Sequence, residues 1–393
     1  MSEQDLYIGR EQTRIKHFIL REYLERFAHI VGSFSDSITY VDCFSGPWNV
    51  RSEELKDSSF VIALEMLRKA RTTLAGRGRA FKIRCMFLEK QPAAYARLEQ
   101  FARQVSDAEI QTRNGELAGN ITEILRFVRQ GGPGTFPFFF IDPTGWTGFE
   151  MSLIAPLLRQ RPGEVLINFM TDYIRRFIDH PHQLTRQQFT SLFGSDDAKD
   201  RIQALADLAD RKDALFTMYA DAVRKRGDFA YSCATIVLYP EIDRPFFHLI
   251  YATRHRRGVE VFKDVEQRAM EEQGRTRAAA KQRKREKRSK QPELFSAEAL
   301  PDVRSIDALR ARYLSQARKR VLERLQAKHR VTYESIWDLA LSSPLVWDCD
   351  IKDWIREWRI AGSLQIEGMK PKERVPKLDH GIVLIWREIS QSR

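Results

Sequence analysis

The sequence predicts an α/β protein with a doubly wound, mostly parallel sheet, followed by a basic helical linker and a small C-terminal domain. Short apolar segments alternate five times with amphipathic helical segments. The apolar segments lack the polar position at every second residue that marks a half-exposed strand. Strands that crossover helices bury on both faces have this pattern. At 393 residues the chain also exceeds one ordinary domain.

The composition limits the class of protein. A hydrophobic content of 43% and a charged content of 30% are typical of a globular chain. No apolar run approaches the roughly 20 residues of a transmembrane helix, and the first ten residues lack the order of an export signal. The four cysteines are scattered without a CxxC pair. We therefore expect a cytoplasmic protein without a membrane segment, a disulfide framework or a metal site.

The elements of the sheet follow in order along the chain. Ile15–Phe27 repeats its apolar residues on one helical face, and Ser37–Phe44 is a short β-branched run that reads as a strand entering a loop. The remaining predicted elements are helix Ser59–Ala70, strand Phe81–Leu88, helix Ala93–Val105, strand Glu109–Arg113, helix Ile121–Gln130, strand Phe136–Ile141, helix Met151–Arg159 and strand Glu164–Met170.

Three further segments complete the predicted domain of residues 1–270. Residues 181–226 are interpreted as a helical insertion. Ala230–Tyr239 and Pro245–Thr253 resemble two long strands joined by a turn, which predicts an antiparallel pair at one edge of the sheet. A helix follows over Lys263–Met270.

The excess positive charge lies in one segment. Arg275–Arg330 contains 18 Lys and Arg against 6 Asp and Glu, which accounts for the whole net charge of +12. Residues 271–327 are therefore interpreted as a basic linker, either helical or flexible, with an amphipathic helix over Ile306–Leu325. A neutral body with one cationic segment indicates an anchor for a polyanion, DNA or RNA. The candidate phosphate-binding residues are Lys281, Arg283, Lys284, Arg285, Lys287 and Arg288. The alternative is a charged helix that only improves solubility.

Residues 328–393 predict a separate small domain. Helices over Tyr333–Leu341 and Asp350–Ala361 are followed by short strands over Ser363–Glu367 and Gly381–Arg387, with a basic loop between the strands. This order of elements is that of a winged helix.

A short peptide follows the basic cluster. Gln291-Pro292-Glu293-Leu294-Phe295 resembles the QxxLF peptide with which bacterial replication and repair proteins dock on the sliding clamp. The match predicts a clamp contact through Gln291, Leu294 and Phe295, although so short a pattern also occurs by chance.

Polar residues follow four of the predicted strands, where doubly wound sheets bind their ligands. Asp42 and Gly46 follow the first strand, Glu89 the second, Asn114 and Glu116 the third, and the motif Asp142-Pro143-Thr144-Gly145-Trp146 the fourth. The first loop lacks the GxGxxG fingerprint of a dinucleotide site. An acid at this position favours a ligand with an ammonium group, such as S-adenosylmethionine, and Glu89 suits the ribose hydroxyls. The structural alternatives are a helix cap or an arginine partner for Asp42, and a surface role for Glu89.

Several segments resemble one bacterial family. YVDCFSGP, FLEK, FFFIDPTGW, EVLINFM and FFHLIYATRHRRGVEVFKDV, together with IKDWIREWRIAGSLQIEGMKPKERVPKLDHGIVLIW near the C-terminus, look like the three-Cys-motif partner proteins. The resemblance runs in order over most of Ile15–Phe262 and Thr332–Trp386. It implies a Rossmann-like fold of the class I methyltransferases, S-adenosylmethionine as cofactor, an attached winged helix, and a radical-enzyme-like partner with three clustered cysteines.

The resemblance also implies roles for individual residues. The implied cofactor site comprises Asp42, Phe44, Ser45, Gly46, Glu89, Asn114 and Glu116. The implied catalytic motif comprises Asp142, Pro143, Thr144 and Trp146, at the place where amino-methyltransferases carry Asp-Pro-Pro-Tyr. There the acid accepts a hydrogen bond from the target amine and the aromatic side chain stacks on the base. In this chain the aromatic residue comes one position later.

Two functional hypotheses follow. The first is a methyltransferase that acts on nucleic acid or on a nucleic-acid-bound target. The second is a scaffold of the same fold that has lost catalysis and binds DNA or the three-cysteine partner in repair or phage defence. A dinucleotide-dependent oxidoreductase is disfavoured because the glycine fingerprint is missing.

Overall fold

The structure is a computed structural model that describes residues 5–46, 50–178, 183–205, 208–291, 302, 304–370 and 373–387, with 208–210 as backbone only. The chain divides into two compact units, Met1–Pro301 and Asp302–Arg393. Within the part of the chain described, no helix is both long enough and apolar enough to cross a membrane.

The first unit is built on a seven-stranded sheet. Its strands are β1 (Ser37–Asp42), β2 (Lys82–Glu89), β3 (Glu109–Asn114), β4 (Thr135–Ile141), β5 (Glu164–Phe169), β6 (Tyr231–Leu238) and β7 (Pro245–Thr253). Their order across the sheet is β3-β2-β1-β4-β5-β7-β6. The first five strands are parallel, whereas β7 is antiparallel to both β5 and β6. The predicted α/β class and the antiparallel pair at the edge are confirmed.

Helices connect and cover these strands. They are α1 (Glu11–Val31), α2 (Ser59–Ala75), α3 (Pro92–Gln104), α4 (Leu117–Gln130), α5 (Met151–Leu158), α6 (Thr171–Arg175), α7 (Gln183–Phe193), α8 (Ala198–Gln203), α9 (Leu208–Gly227) and α10 (Arg256–Ser289), after a short 3-10 helix over Asp5–Tyr7. α7, α8 and α9 occupy the segment interpreted as a helical insertion. Residues 179–182 and 206–207 of that segment lie outside the described residues.

Alternate residues of the strands contact helices on opposite faces of the sheet, as the pleat requires. Tyr23 of α1 packs on Phe138 of β4 and donates a hydrogen bond to Glu164 of β5. Phe169, five positions after Glu164, stacks on Tyr219 of α9 instead. β1 and β5 are buried over their whole length, which agrees with the absence of a regular apolar–polar alternation in their sequences.

The predicted linker is corrected in its first half. α10 runs without interruption through the predicted boundary at residues 270 and 271, and several of its residues beyond that boundary are buried although few of these are large and apolar. Gln273 accepts a hydrogen bond from the Leu238 amide of β6, and Arg277 donates to the Tyr239 and Ile242 carbonyls. An edge strand and its turn offer unpaired backbone groups. Polar side chains of α10 can therefore hold the helix against β6 and the following turn through hydrogen bonds, without a continuous apolar stripe.

The second unit contains three helices and a small antiparallel sheet. The helices are α11 (Arg304–Lys328), α12 (Tyr333–Leu341) and α13 (Asp348–Ile360), and the strands β8 (Arg330–Thr332), β9 (Leu364–Glu367) and β10 (Val383–Trp386) pair in the order β8-β10-β9. The two helices and two strands predicted after residue 328 are present, and β8 is additional. α11, predicted as part of the linker, packs on α12 within this unit. The winged-helix assignment stays a prediction.

Candidate functional site

The carboxyl ends of β1 and β4 form the topological switch point of the sheet. From β1 the chain continues to β2 on one side, whereas β4 and β5 lie on the other. The loops after β1 and β4 therefore diverge and leave room at this edge. Asp42 lies opposite Phe87 of β2 and Phe140 of β4 in the register. Asp42, Glu89 and Asp142 thus share the parity that directs side chains to the α1 face.

Asp42 is fully buried, and both oxygens of its carboxylate accept hydrogen bonds from other groups of the protein. Oδ1 accepts from the Phe44 amide at 3.1 Å, and Oδ2 accepts from the Ser59 hydroxyl at 2.6 Å. Burial raises the pKa of this carboxyl from its ordinary 3.8 to about 6, and the nearby Asp142 acts in the same direction. Asp42 therefore organises the loop after β1. The predicted alternative of an arginine partner is not what the structure shows.

The loop after β1 is tied at two points. Ser45 is buried, its amide donates to the Leu88 carbonyl at 2.7 Å, and its hydroxyl donates to the Asp42 carbonyl at 2.8 Å. Further along, Asp57 accepts from the amides of Arg51 and Ser52 and pairs with the buried guanidinium of Arg10. The loop therefore begins and ends in defined contacts. Phe44 and Gly46 are half-buried between them, and residues 47–49 lie outside the described part.

Glu89 ends β2 beside Asp42. It lies two residues beyond the register partner of Asp42, so the two Cα atoms are about 8 Å apart, given roughly 4.8 Å between strands and 3.3 Å per residue. One carboxylate oxygen of Glu89 accepts from the Gln91 amide at 2.5 Å. Among the described residues no cation forms an ion pair with Glu89. The two acids that the sequence placed at neighbouring strand ends are thus on one face and close together.

The residues after β3 have different environments. The Asn114 side-chain amide donates to the Glu89 carbonyl at 2.9 Å, so it ties β3 to β2. The side chain of Glu116 is 72% exposed and lies 3.5 Å from the Lys90 ammonium. Gly115 between them has φ of +141°, a conformation that favours glycine. A ligand contact remains open to Glu116, while Asn114 already serves the sheet.

Asp142 is held by two residues that the sequence reasoning missed. Lys16 of α1 donates to Oδ2 at 2.5 Å, and the Asn168 side chain at the end of β5 donates to Oδ1 at 2.7 Å. A signal for Lys16 was available, because it shares one helical face with the buried Leu20 and Phe27. Asn168 could have been found as the polar residue near the end of an apolar strand. The contacts position the carboxylate and balance its charge.

Trp146, which the resemblance implied would stack on a substrate base, is instead packed inside the protein. Only 7% of it is exposed, it stacks on Phe177 at a ring distance of 5.0 Å, and it meets the ring of Phe189 in α7 edge-on at 5.3 Å. The indole ring of Trp146 thus packs the helical insertion against the loop after β4. Because the ring is buried, neither of its faces can stack on a flat substrate. Of the same motif, Pro143 is buried and Thr144 is exposed.

The basic cluster near the end of α10 is partly neutralised within the protein. Lys281 and Lys284 pair with Asp243 and Glu241 of the β6–β7 turn at 3.2 and 2.5 Å, and Arg283 pairs with Glu11 at 2.5 Å. The partners of these three residues come from the β6–β7 turn and from α1 and not from α10 itself. Arg285, Lys287 and Arg288 are exposed. Leu294 and Phe295 of the predicted clamp peptide lie outside the described residues, and Gln291 is exposed.

Within the described residues, no group of three or more His, Cys, Asp or Glu side chains is arranged to hold a metal ion. No family model matches the chain, and no curated protein matches it. Among solved structures, the chain is similar to a crystal structure of a Legionella pneumophila str. Philadelphia 1 protein described by the family model DUF519. The identity is 10% over 64% of this chain and 89% of that chain, with a TM-score of 0.35.

Proposed function

We propose that the chain is an S-adenosylmethionine-dependent methyltransferase of the class I, Rossmann-like type that acts on nucleic acid. One observation carries the proposal. Asp42 and Glu89 end two adjacent parallel strands, Asp142 directly follows a third, and all three share one face of the sheet at its switch point. Ligands of open α/β sheets bind at such a point.

The electrostatics of this edge fit a cationic cofactor. The acids Asp42, Glu89 and Asp142 lie at this edge, and Lys16 forms an ion pair with Asp142. The raised pKa of Asp42 reports a carboxylate that burial penalises and that a nearby positive charge would stabilise. An ammonium or sulfonium group supplies such a charge. A dinucleotide pyrophosphate would add negative charge at the same place.

The residues at each strand end would then make different contacts with the cofactor. Glu89 would accept hydrogen bonds from the ribose hydroxyls, as acids at the end of the second strand of doubly wound sheets do. Asp42 would act through the loop that it holds, with Phe44, Ser45 and Gly46 facing the cofactor by their backbone. Glu116 lies one strand further out, beside the expected adenine, whereas Asn114 would act through the Glu89 carbonyl.

The cofactor would supply an electrophilic methyl group, and the protein would supply alignment. Lys16 and Asn168 fix both oxygens of Asp142. Each oxygen keeps acceptor capacity, so Asp142 can still orient a donor group of the target. Because the Lys16 ammonium and the Asn168 amide already contact it, Asp142 would act as an orienting acceptor and not as a full base. Pro143 and Thr144 form the start of the loop that borders this position.

Titration calorimetry with S-adenosylmethionine and S-adenosylhomocysteine tests the cofactor site. Wild-type protein should bind both ligands, and Glu89→Gln should weaken binding about ten-fold or more, the usual cost of a lost hydrogen bond to a charged group. Glu99→Gln, an exposed acid on α3, is the matched control and should bind like wild type. Absence of binding to wild-type protein would refute the proposal.

The nucleic-acid part of the proposal has separate support. Lys287 and Arg288 are exposed and could contact phosphates, and the second unit has the element order of a winged helix. A three-cysteine partner protein and the sliding clamp are proposed partners from sequence resemblance. Pull-down with each partner, with Leu294→Ala and Phe295→Ala for the clamp, tests them.

A second candidate function is a scaffold without catalysis that binds the partner protein or DNA. The specific observation in its favour is that Lys16 and Asn168 occupy both oxygens of Asp142. Incubation with radiolabelled S-adenosylmethionine and a cell extract, followed by nuclease or protease digestion, separates the two. Label lost on nuclease treatment supports the methyltransferase. Cofactor binding without any labelled product supports the scaffold.

A further inference from the structure

Three arginines converge on one buried carboxylate after β5. The side chain of Asp172 in α6 is 2% exposed and contacts the guanidinium groups of Arg175 at 3.1 Å, Arg176 at 3.3 Å and Arg244 at 3.2 Å. The Tyr239 hydroxyl donates to the same carboxylate at 2.8 Å. These contacts outweigh burial and lower the pKa of Asp172. One anion therefore holds three cations, and the group keeps an excess charge of about +2.

This arginine cluster (Arg175, Arg176 and Arg244) lies at the same edge of the sheet as the candidate site. α6 begins directly after the carboxyl end of β5, and Arg244 and Tyr239 belong to the turn after the carboxyl end of β6. β5 is the neighbour of β4, whose end carries Asp142. The Arg244 guanidinium also lies over the Tyr239 ring, 4.9 Å from its centre. The cluster is thus built into the fold by a buried counter-ion and a ring.

An exposed aromatic residue joins the cluster to the candidate site. Tyr173 is 40% exposed, the Arg176 guanidinium lies 5.9 Å from the centre of its ring, and its ring is 5.6 Å from that of Phe177. Phe177 in turn stacks on Trp146, four positions after Asp142. A solvent-facing ring beside guanidinium groups is the arrangement with which proteins bind unpaired nucleotides.

We propose that the arginine cluster and Tyr173 bind single-stranded nucleic acid beside the target nucleotide, the arginines through phosphates and Tyr173 by stacking on a base. The proposal rests on the proposed function and adds the substrate class. An exposed side chain with a planar guanidinium suits phosphate recognition, and 56% of the Arg176 side chain is exposed. A stacking ring needs a base that is free of its duplex neighbours, which favours a single strand.

The test is fluorescence anisotropy with a labelled single-stranded oligonucleotide and the matching duplex, without cofactor, over a range of salt concentrations. Arg176→Ala leaves Asp172 with Arg175 and Arg244, so the fold is kept. It should weaken binding about four-fold at 0.15 M salt and reduce the salt slope by about 0.7, the loss of one phosphate contact. Tyr173→Ala should weaken single-strand binding about five-fold or more and leave duplex binding unchanged.

Arg103→Ala is the matched control, because it removes the same charge from an exposed position on α3. Equal affinity and salt slope for Arg176→Ala and Arg103→Ala would overturn the proposal. An equal effect of Tyr173→Ala on duplex and single strand would also overturn it. These measurements omit the cofactor. If the protein binds S-adenosylmethionine but the substitutions do not change its affinity for nucleic acid, only the strand-binding proposal is refuted. Strand binding through these residues without cofactor binding would refute only the proposed methyltransferase.

Discussion

Replacing Asp42 by Asn should stabilise the first unit at high pH, although Asp42 is central to the candidate site. The folded-state pKa of about 6 lies above the ordinary 3.8, so the folded chain keeps a proton that the unfolded chain releases. Stability is then lost as the pH rises from about 4 to 6. The two pKa values differ by about 2.2 units, at 1.36 kcal/mol per unit. Ionisation of Asp42 therefore lowers the free energy of unfolding by about 3 kcal/mol at pH 8 and by about 1 kcal/mol at pH 4.5.

Asn preserves the local hydrogen bonds. Its Oδ1 can accept from the Phe44 amide, and its side-chain amide can donate to the Ser59 hydroxyl, which then acts as an acceptor. At about 2 °C per kcal/mol for a unit of this size, Asp42→Asn should raise the melting temperature by about 6 °C at pH 8 and about 2 °C at pH 4.5. Differential scanning calorimetry at the two pH values measures both shifts.

The control is Asp107→Asn, which should have the opposite sign. Hydrogen bonding to Arg68 lowers the pKa of Asp107, with Arg71 as a second partner, so this acid stabilises the folded chain above pH 4 and its loss should lower the melting temperature at pH 8. A stabilisation by Asp42→Asn of equal size at both pH values would refute the reasoning, because it would not come from ionisation. Destabilisation at pH 8 would refute it as well.

Three further predictions concern contacts that sequence reasoning did not identify, and urea denaturation measures the first two. Lys16→Met leaves a largely buried carboxylate without its cation and should cost about 2 kcal/mol, whereas Lys69→Met on the exposed side of α2 should cost less than about 0.5. Arg277→Met removes the guanidinium that fastens α10 to the β6–β7 turn and should cost about 3 kcal/mol, against little for the exposed Arg275→Met. Trp146→Ala should speed limited proteolysis within residues 183–205, because it removes the ring on which α7 packs; an unchanged cleavage pattern would contradict this.

The sheet could be predicted because its strands are buried on both faces. Runs such as FPFFFI in β4 leave few alternatives, and the acids directly after them, Asp42, Glu89 and Asp142, come together because parallel strands end at one edge. Lys16 contacts Asp142 across 126 positions of sequence, and such a pairing has no periodicity to reveal it. Lys16 lies on the face of α1 that carries Leu20 and Phe27, and its ammonium group reaches the carboxylate of Asp142.

The polar half of α10 was misread for a related reason. A segment with Gln273, Thr276 and Arg277 as its buried residues lacks the apolar stripe by which a docked helix is recognised. Its docking depends on backbone groups of β6 and the following turn, and these are invisible in a sequence pattern. β8 was not predicted because a strand of three residues is too short to show a recognisable apolar–polar pattern. The burial of Trp146 could not be predicted, because the helix that covers it comes from the insertion, whose position no local rule supplies.

Residues at and just before the start of α1 contact three other parts of the first unit, and this matters for the design of shortened proteins. Arg10 closes the loop after β1 through Asp57, Glu11 meets the end of α10, and Lys16 contacts Asp142. The first turns of α1 therefore contact the candidate site and the loop after β1. Truncations that remove the first turns of α1 should therefore be judged by ligand affinity as well as by yield.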